Sequence, residues 1–241
     1  MFKTTDVFKK NDTVEVLDSI MGSSKTTKIL EWIDSNPNVK YIYVSPLLKE
    51  VEEGGRIHTN LNKVSFETPT NDNGSKSDSF LSLLKEGVNV ACTHSLYLGM
   101  TSEHFNLIAK HGYTVIIDEE IDVIESFDKY SISDLRWLYD NNIVEISEDD
   151  GMVTWVGDRN LINDSHKYYT LLCYCDAKAL YATKRSNSMM VTQLPVRLFE
   201  CAKRVIILTY MFKGNILDSF LKLKGIKCVP FTEVEVTKKS K

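Results

Sequence analysis

Hydrophobic and polar positions along the chain form short segments of two kinds. Runs of about four to eight β-branched and aromatic residues predict strands, and longer runs with apolar residues three or four apart predict helices. The predicted strands are TVEVLDS, KYIYVSP, VNVACTHS, YTVIIDEE, VIILTYMF and IKCVPF, with a weaker one at KVSFETP. In the fourth of these, Val115, Ile116 and Ile117 are apolar without alternation, which predicts a central parallel strand covered on both faces.

The predicted helices fall between these strands. They are KTTKILEWIDSN, LLKEVEEG, SFLSLLKEG, TSEHFNLIAKHG, PVRLFECAKR and GNILDSFLKLKG. The first has Ile29, Leu30 and Ile33 on one face. Gly112 follows the fourth, and glycine commonly ends a helix because it adopts positive φ without steric cost. Strands that alternate with helices predict βαβ units, so we expect an α/β fold with a mostly parallel sheet flanked by helices.

This alternation of strands and helices is interrupted in the middle of the chain. IVEISEDDGMVTWVG alternates around an Asp–Gly pair and predicts a β-hairpin. Residues 158–188 predict a mainly helical segment. We therefore predict a single α/β domain over residues 1–241, interrupted by an insertion of hairpin and helix from about 126 to 187.

Side chains of this insertion bear on nucleic-acid binding. Four tyrosines are expected in its core rather than as platforms for bases: Tyr168, Tyr169, Tyr174 and Tyr181. Lys184 and Arg185 are expected in a solvated loop rather than on a phosphate-binding track. Elsewhere, the polar segment TNDNGSKSDS predicts a mobile loop, and TEVEVTKKSK predicts a frayed tail.

The composition of the chain mainly excludes some classes of protein. Hydrophobic residues make up 43% of the chain, enough for a packed core, and the net charge of −4 excludes a basic surface over the whole molecule. No run approaches the roughly 18 apolar residues that cross a bilayer, and the first residues lack the pattern of a secretory signal. Five scattered cysteines fit reduced thiols better than a disulfide framework. We expect a soluble, cytoplasmic protein without a membrane partner.

A candidate phosphate-binding loop precedes the first predicted helix. GSSKTT follows a strand and opens a helix, the context that such a loop requires. Backbone N–H groups there, together with Lys25, would bind the β- and γ-phosphates of ATP, and Thr26 would place its hydroxyl on Mg²⁺. The predicted nucleotide-binding residues are Gly22, Ser23, Ser24, Lys25, Thr26 and Thr27.

The loop departs from the usual motif at two positions. Ser19 replaces its first glycine, and Ser24 replaces the glycine directly before the lysine. The alternative is a Ser/Thr cap on an ordinary helix. A lysine in the first turn opposes the helix dipole, however, so a cap alone does not explain Lys25.

Acidic residues follow the most apolar strand. Asp118, Glu119 and Glu120 would lie at the carboxyl edge of the sheet, where open α/β folds bind ligands. Asp118 would hold Mg²⁺, and Glu119 would orient and activate the attacking water. The alternative is a strand that runs into a solvated acidic turn. Three adjacent acids repel one another, which favours a cation as partner. With Lys25, Asp118 and Glu119 as catalytic residues, the sequence predicts a site for ATP and Mg²⁺.

Five segments in this order resemble motifs I, Ia, a threonine-bearing motif, II and III of superfamily 2 helicases: GSSKTT, YIYVSP, VACTHSLYLG, VIIDEE and ILTYMF. They look most like the DEAD/DEAH-like helicases that phages of Gram-positive bacteria carry. The resemblance covers nearly the whole chain apart from the insertion, and it implies the RecA-like ATPase domain of a P-loop NTPase. The acids are D-E-E rather than D-E-A-D or D-E-A-H, which leaves the subfamily open.

The resemblance also implies residues that contact nucleic acid and residues that couple this contact to ATP. The implied nucleic-acid contacts are Ser45, Pro46, Thr93, His94 and Ser95. Thr209 would couple the γ-phosphate state to strand contact, with Tyr210 in place of the usual small residue. Plainer alternatives are a turn at Ser45–Pro46, helix caps at Thr93 and Ser95, a histidine satisfied by backbone, and a strand end at Thr209.

The leading hypothesis is the ATP-binding motor domain of a helicase or translocase that acts on DNA or RNA in phage replication or recombination. A second RecA-like domain, which donates an arginine finger in such enzymes, would belong to a longer protein or to another molecule. We therefore expect these 241 residues to bind nucleotide weakly and to hydrolyse it poorly. The insertion could bind a replication protein. Alternatives are a phage terminase-like packaging ATPase and a non-hydrolysing interaction module derived from a P-loop fold.

Overall fold

A computed structural model of the protein describes residues 10–72, 74–163, 165–182 and 190–235. The strands in these ranges are β1 Thr13–Asp18, β2 Tyr41–Ser45, β3 Val90–Thr93, β4 Thr114–Asp118, β5 Ile124–Ser126, β6 Val144–Ile146, β7 Val153–Trp155, β8 Leu180–Ala182, β9 Met190–Gln193, β10 Arg204–Thr209 and β11 Lys227–Pro230. The α-helices are α1 Lys25–Ser35, α2 Leu48–Val51, α3 Arg56–Thr59, α4 Lys76–Glu86, α5 His94–Leu98, α6 Ser102–His111, α7 Ile132–Asp140, α8 Tyr169–Asp176, α9 Arg197–Glu200 and α10 Ile216–Leu223. No helix in the described ranges is both long enough and apolar enough to cross a membrane.

The chain forms two compact units. The first comprises Met1–Ile121 and Val196–Lys241, and the second is Asp122–Pro195. The second unit extends beyond the predicted insertion, residues 126–187, at both ends. The assignment of one interrupted domain stays a prediction.

A six-stranded sheet organises the first unit. Its strand order is β11-β1-β10-β4-β2-β3, and its strand pairs are parallel. β10 lies between β1, which precedes the candidate loop, and β4, which precedes the acids. Since parallel strands have their carboxyl ends at the same edge of a sheet, loop and acids share that edge. The predicted α/β class, a RecA-like, mostly parallel sheet flanked by helices, is confirmed.

The core of this unit is built around α1 and the central strands. Ile29, Leu30 and Ile33 are buried against β-strand residues that include Tyr43 and Ile116, as the helical pattern predicted. Each fully buried side chain of this size contributes about 1.5–3 kcal/mol relative to an exposed one. This packing holds α1 on the sheet and so fixes the loop that precedes it.

Some predicted elements of the first unit were wrong in extent. The segment LLKEVEEG is helical only over α2, and α3 follows it unpredicted. KVSFETP forms no strand; it pairs with the sheet through an isolated bridge between Glu67 and Val90. The loop predicted as mobile contains the start of α4. Ser75 and Asp78 form a capping box there, each side chain accepting from the other's backbone N–H at 3.1 Å.

The described part of the predicted frayed tail is held in place. Glu233 accepts a hydrogen bond from Trp32 Nε1 at 2.8 Å and pairs with Arg204 Nη2 at 2.6 Å. Val234 packs on the core cluster of this unit. These partners lie far away in sequence, so charge composition alone did not predict them. Residues 236–241 of the predicted tail lie outside the described residues.

The second unit has a core of its own. Its strands form an antiparallel sheet in the order β5-β9-β8 and the hairpin β6–β7, which confirms the predicted hairpin. Leu138, Trp155 and Leu171 are buried in its hydrophobic cluster, against which Tyr168 and Tyr174 pack.

The helical prediction for residues 158–188 was too broad. The described part contains a 3-10 turn at Arg159–Leu161, then α8, and then the strand β8. Tyr169 and Tyr181 are half-buried. Lys184 and Arg185 lie outside the described residues.

Candidate nucleotide-binding site

The loop between β1 and α1 adopts a conformation that favours glycine at two positions. Gly22 has a φ of 74° and Ser24 a φ of 62°, both in the left-handed region. A Cβ at Gly22 would meet no atom of the protein within 4 Å, so backbone conformation rather than space favours glycine there. Ser24 occupies the position where the motif has its second glycine. It precedes α1 without a side-chain cap, so the simple capping alternative does not describe it.

The first turn of α1 is open to an external partner, because Ser24 gives it no side-chain cap. The first N–H groups of a helix have no partner within the helix, and the helix dipole favours an anion near them. The start of α1 thus presents backbone N–H groups of the kind that bind phosphate oxygens in proteins.

Lys25 lies close to the acidic edge of the sheet. Its Nζ donates to the carbonyl oxygen of Ser19 at 2.5 Å and lies 3.5 Å from that of Ile20. Burial lowers the pKa of Lys25, and the carboxylates of Asp118, Asp18 and Glu119 partly offset this shift. Two of these three acids, Asp118 and Glu119, are predicted to share a ligand with Lys25.

Asp118 joins the loop to β4. Its Oδ2 accepts hydrogen bonds from Thr26 Oγ1 at 3.0 Å and from the Tyr43 hydroxyl at 2.7 Å. Burial raises the pKa of Asp118, while the two hydroxyls act in the opposite direction. A divalent cation would favour the charged carboxylate in this position.

Glu119 has strained backbone geometry. Its φ is 67°, and its N–H donates to the carbonyl oxygen of Leu208 in β10 at 2.9 Å. Both Glu119 and Glu120 are exposed and line the same cleft as the loop. A non-glycine residue in the left-handed region is typical of functional sites, where surrounding contacts hold the strain.

The cleft has a volume of about 540 Å³. Its walls are the loop residues 21–27, the acids of 118–120, the end of β10 and two charged residues, Glu50 and Arg56. The volume lies within the range of about 300–1,000 Å³ that is typical of small-molecule sites.

The residues of this cleft fit a magnesium-bound triphosphate. Ser23 is 3% exposed, and its Oγ has no hydrogen-bond partner among the described residues, so a phosphate oxygen would satisfy it. In the part of the chain that the structure describes, no group of three or more His, Cys, Asp or Glu side chains could hold a metal. When Mg²⁺ binds, Thr26 and Asp118 would hold it together with phosphate and water, as is common for this ion.

Ser45 and Pro46 differ in their accessibility. Ser45 is buried; its hydroxyl donates to Glu50 Oε2 at 2.9 Å and accepts from the Leu47 N–H at 3.2 Å. Pro46 is exposed. The hydroxyl of Ser45 is thus engaged in the turn after β2, as the plainer alternative proposed, and nucleic-acid contact at these residues stays a prediction.

The segment after β3 shows a similar arrangement. Thr93 caps α5 by accepting from the Leu96 N–H at 3.4 Å, and its hydroxyl lies 3.2 Å from that of the exposed Ser95. His94 Nε2 lies 2.9 Å from the backbone oxygen of Asp118. The helix cap and the backbone-bound histidine are therefore present, and nucleic-acid contact here also stays a prediction.

The end of β10 is bound to the start of the loop. The Ser19 N–H donates to the Thr209 carbonyl oxygen at 3.1 Å. Asp18 accepts from the N–H groups of Met211 and Phe212 at 2.9 and 3.0 Å. Thr209 is buried and Tyr210 is exposed, and both line the cleft. Of the two predicted coupling residues, Thr209 is thus in direct contact with the start of the candidate loop, and the coupling role of both stays a prediction.

Sequence reasoning missed four side chains of this site. They are Asp18, Tyr43, Glu50 and Arg56. Tyr43 lies in a strand whose residues are otherwise buried for packing, and the charged pair lies in short helices of ordinary surface composition. No local pattern distinguishes them, because their role depends on the convergence of distant segments.

Fold and cleft together define an α/β protein with a mostly parallel, RecA-like sheet and a cleft at the carboxyl edge of that sheet. No protein-family model matches the chain. The SPbeta prophage-derived uncharacterized protein YonV of Bacillus subtilis (strain 168) is 29% identical over 219 residues. This similarity covers 89% of the chain and 52% of the relative, so the chain spans about half the length of that relative.

A solved structure described as XPD_APO shares 16% identity with a TM-score of 0.46 and covers 91% of this chain and 55% of that chain. A similarity of this strength carries no argument about function.

Proposed function

We propose that the chain is the ATP-binding domain of a helicase or translocase. One observation carries this proposal: Thr26 Oγ1 donates to Asp118 Oδ2 at 3.0 Å, across 92 positions of sequence. The hydrogen bond joins the phosphate-type loop to the acidic strand end at the single edge where an α/β sheet binds its ligands. Lys25, Ser23 and Glu119 surround the same cleft.

Each residue would have a separate role in hydrolysis. The loop amides and Lys25 would bind the β- and γ-phosphates, and Mg²⁺, when bound by Thr26 and Asp118, would neutralise phosphate charge. Glu119 would orient a water whose oxygen bonds to the γ-phosphorus while the bond from phosphorus to the β–γ bridging oxygen breaks. The proton of that water would pass to the Glu119 carboxylate.

The activity of the whole protein is part of the same proposal. The protein would move along DNA or RNA. A second RecA-like domain would supply the arginine that stabilises the transition state of hydrolysis. The greater length of the prophage relative is compatible with such a domain. We retain the host cytoplasm and phage replication or recombination as the proposed setting.

Nucleotide binding can be tested by thermal unfolding with MgATP. At about ten times the Kd, binding to the folded chain should raise the Tm by about 3–6 °C, because the ligand stabilises only the native state. Lys25→Ala should abolish this rise. Lys28→Ala is the matched control, since Lys28 lies on the same helix outside the cleft and pairs with Glu31 at 2.7 Å. A rise that persists in Lys25→Ala, or no rise in the wild type, would refute the proposal.

The strain at Ser24 favours one second candidate, a non-hydrolysing interaction module. A side chain stands where the motif has glycine, and it holds a φ of 62° beside the predicted phosphates. In that case MgATP would leave the Tm unchanged in the wild type and in Lys25→Ala alike. The same experiment therefore distinguishes the two functions.

A further inference from the structure

Arg56 is a second cation in the nucleotide cleft. It begins α3, and its Nη2 lies 2.8 Å from Glu50 Oε1 and 3.9 Å from Asp118 Oδ2. Among the described residues that line the cleft, Lys25 and Arg56 are the two cationic side chains. Arg56 is thus a cleft residue that the motif-like segments do not contain.

Two hydroxyl donors and a nearby cation converge on one carboxylate oxygen. Asp118 Oδ2 accepts from Thr26 and Tyr43, and the Arg56 guanidinium approaches the same atom. Because Thr26 and Asp118 would hold the metal beside the β- and γ-phosphates, Arg56 lies at the phosphate end of the cleft. A guanidinium has five N–H donors in a planar fork, which suits it to phosphate oxygens.

Glu50 competes for that guanidinium. Its Oε1 pairs with Arg56, while its Oε2 accepts from Ser45 Oγ at 2.9 Å. The Glu50 side chain is 16% exposed and that of Arg56 is 40% exposed. A half-exposed guanidinium can change partners without unfolding its surroundings, and a terminal phosphate carries more charge than one carboxylate.

We propose that Arg56 binds the terminal phosphate of a nucleoside triphosphate and that Glu50 is the competing partner that holds it in the structure. This inference rests on the proposed function. Arg56 then distinguishes triphosphate from diphosphate within this chain. When Arg56 leaves Glu50 for the phosphate, the Glu50 carboxylate loses its neighbouring positive charge. The hydrogen bond between Glu50 and Ser45 connects this change to the turn at Ser45–Pro46, where nucleic-acid contact is predicted.

The test is a titration of the 241-residue chain with a non-hydrolysable ATP analogue and with ADP, both with Mg²⁺. Arg56→Gln should weaken analogue binding about tenfold or more, since hydrogen bonds to charged groups are strong, and should change ADP binding less than about threefold. Glu50→Gln should tighten analogue binding by about threefold to tenfold, because it removes the competitor. The double variant should bind like Arg56→Gln, since Glu50 acts through Arg56.

Controls separate this mechanism from a loss of structure. Lys28→Gln, outside the cleft, should keep both affinities, and Arg56→Lys should recover part of the analogue binding because it keeps the charge. The Tm without nucleotide reports the folding of each variant. If the ion pair merely stabilised the turn, both substitutions would change analogue affinity in the same direction. Weaker binding by Arg56→Gln together with tighter binding by Glu50→Gln is therefore specific to the proposed competition.

The outcomes also separate the two proposals. If the wild type binds both nucleotides through Lys25 but Arg56→Gln weakens them equally or not at all, this inference is wrong and the proposed function stands. Weaker analogue binding by Glu50→Gln would likewise overturn the role of Glu50 as competitor. If the wild type binds neither nucleotide, the proposed function fails, and this inference fails with it.

Discussion

At the scale of single residues, the site contains backbone strain at Ser24 and Glu119. Both have positive φ, 62° and 67°, although neither is glycine. For an L-residue this conformation costs about 1–2 kcal/mol, because the Cβ approaches the neighbouring carbonyl oxygen. Ser24 opens α1 and Glu119 follows β4, so the two strained peptides flank the bound phosphates in the proposed function.

Ser24→Gly should stabilise the protein. Relief of the strain at φ 62° exceeds the added entropy of a glycine in the unfolded chain, so the free energy of unfolding should rise by about 0.5–1 kcal/mol. Urea denaturation measures this change. Ser35→Gly, at an exposed helical position, is the control and should lower the stability by up to about 1 kcal/mol. Destabilisation by Ser24→Gly would show that the serine side chain makes a necessary contact.

At the scale of elements, α6 depends on a buried histidine at its first turn. His104 Nδ1 accepts from the Thr101 N–H at 3.2 Å, and its Nε2 lies 3.3 Å from the Ser77 carbonyl oxygen. His104 is 2% exposed and packs against Phe80 of α4. Burial lowers the pKa of His104, so the neutral ring holds the two helices together.

Because of the lowered pKa of His104, we expect the free energy of unfolding to fall in acid. The unfolded histidine has a pKa of about 6.5, while the folded value is lower. Below pH 6.5 the unfolded state therefore binds a proton that the folded state resists, and stability falls until the pH passes the folded pKa. The slope from one group is at most about 1.4 kcal/mol per pH unit.

His104→Gln should flatten the stability profile between pH 7 and pH 5, measured by urea denaturation at each pH. His111→Gln, at the other end of α6, should remove a smaller share of the slope, because its pKa is also lowered but it is less buried. An unchanged slope in His104→Gln would contradict the assignment.

At the scale of the whole molecule, every residue proposed to bind nucleotide lies in the first unit. The second unit has a separate hydrophobic cluster and separate sheets. We propose that the nucleotide site does not depend on the core of the second unit.

Leu138→Ala tests this independence. Leu138 is fully buried in the second unit, so its truncation should destabilise that unit by about 2–5 kcal/mol. The Kd for MgATP should stay within about twofold of the wild-type value. Leu161→Ala is the control at a position 73% exposed, and it should change neither quantity. A weakened Kd in Leu138→Ala alone would show that the two units are coupled.

Much of the parallel sheet was predictable because its strands are continuous apolar runs. Val115, Ile116 and Ile117 predicted a central strand, and they are fully buried in β4. The helix predicted for LLKEVEEG is longer than α2, because the whole segment has a helical pattern. The backbone of Glu52, which directly follows α2, is extended and ends the helix there. The Glu233 contacts with Trp32 and Arg204 were missed because they join residues 201 and 29 positions apart.

The sequence by itself determined the α/β class, the loop that opens α1 and the acids that end β4. These features are local, since hydrophobic periodicity and turn residues act between near neighbours. Only the tertiary structure decided that Thr26, Tyr43 and Arg56 meet at one oxygen of Asp118 and that Glu50 ties Arg56 to Ser45. Such contacts depend on the order of strands in the sheet and on side-chain packing, and no local pattern of residues specifies either.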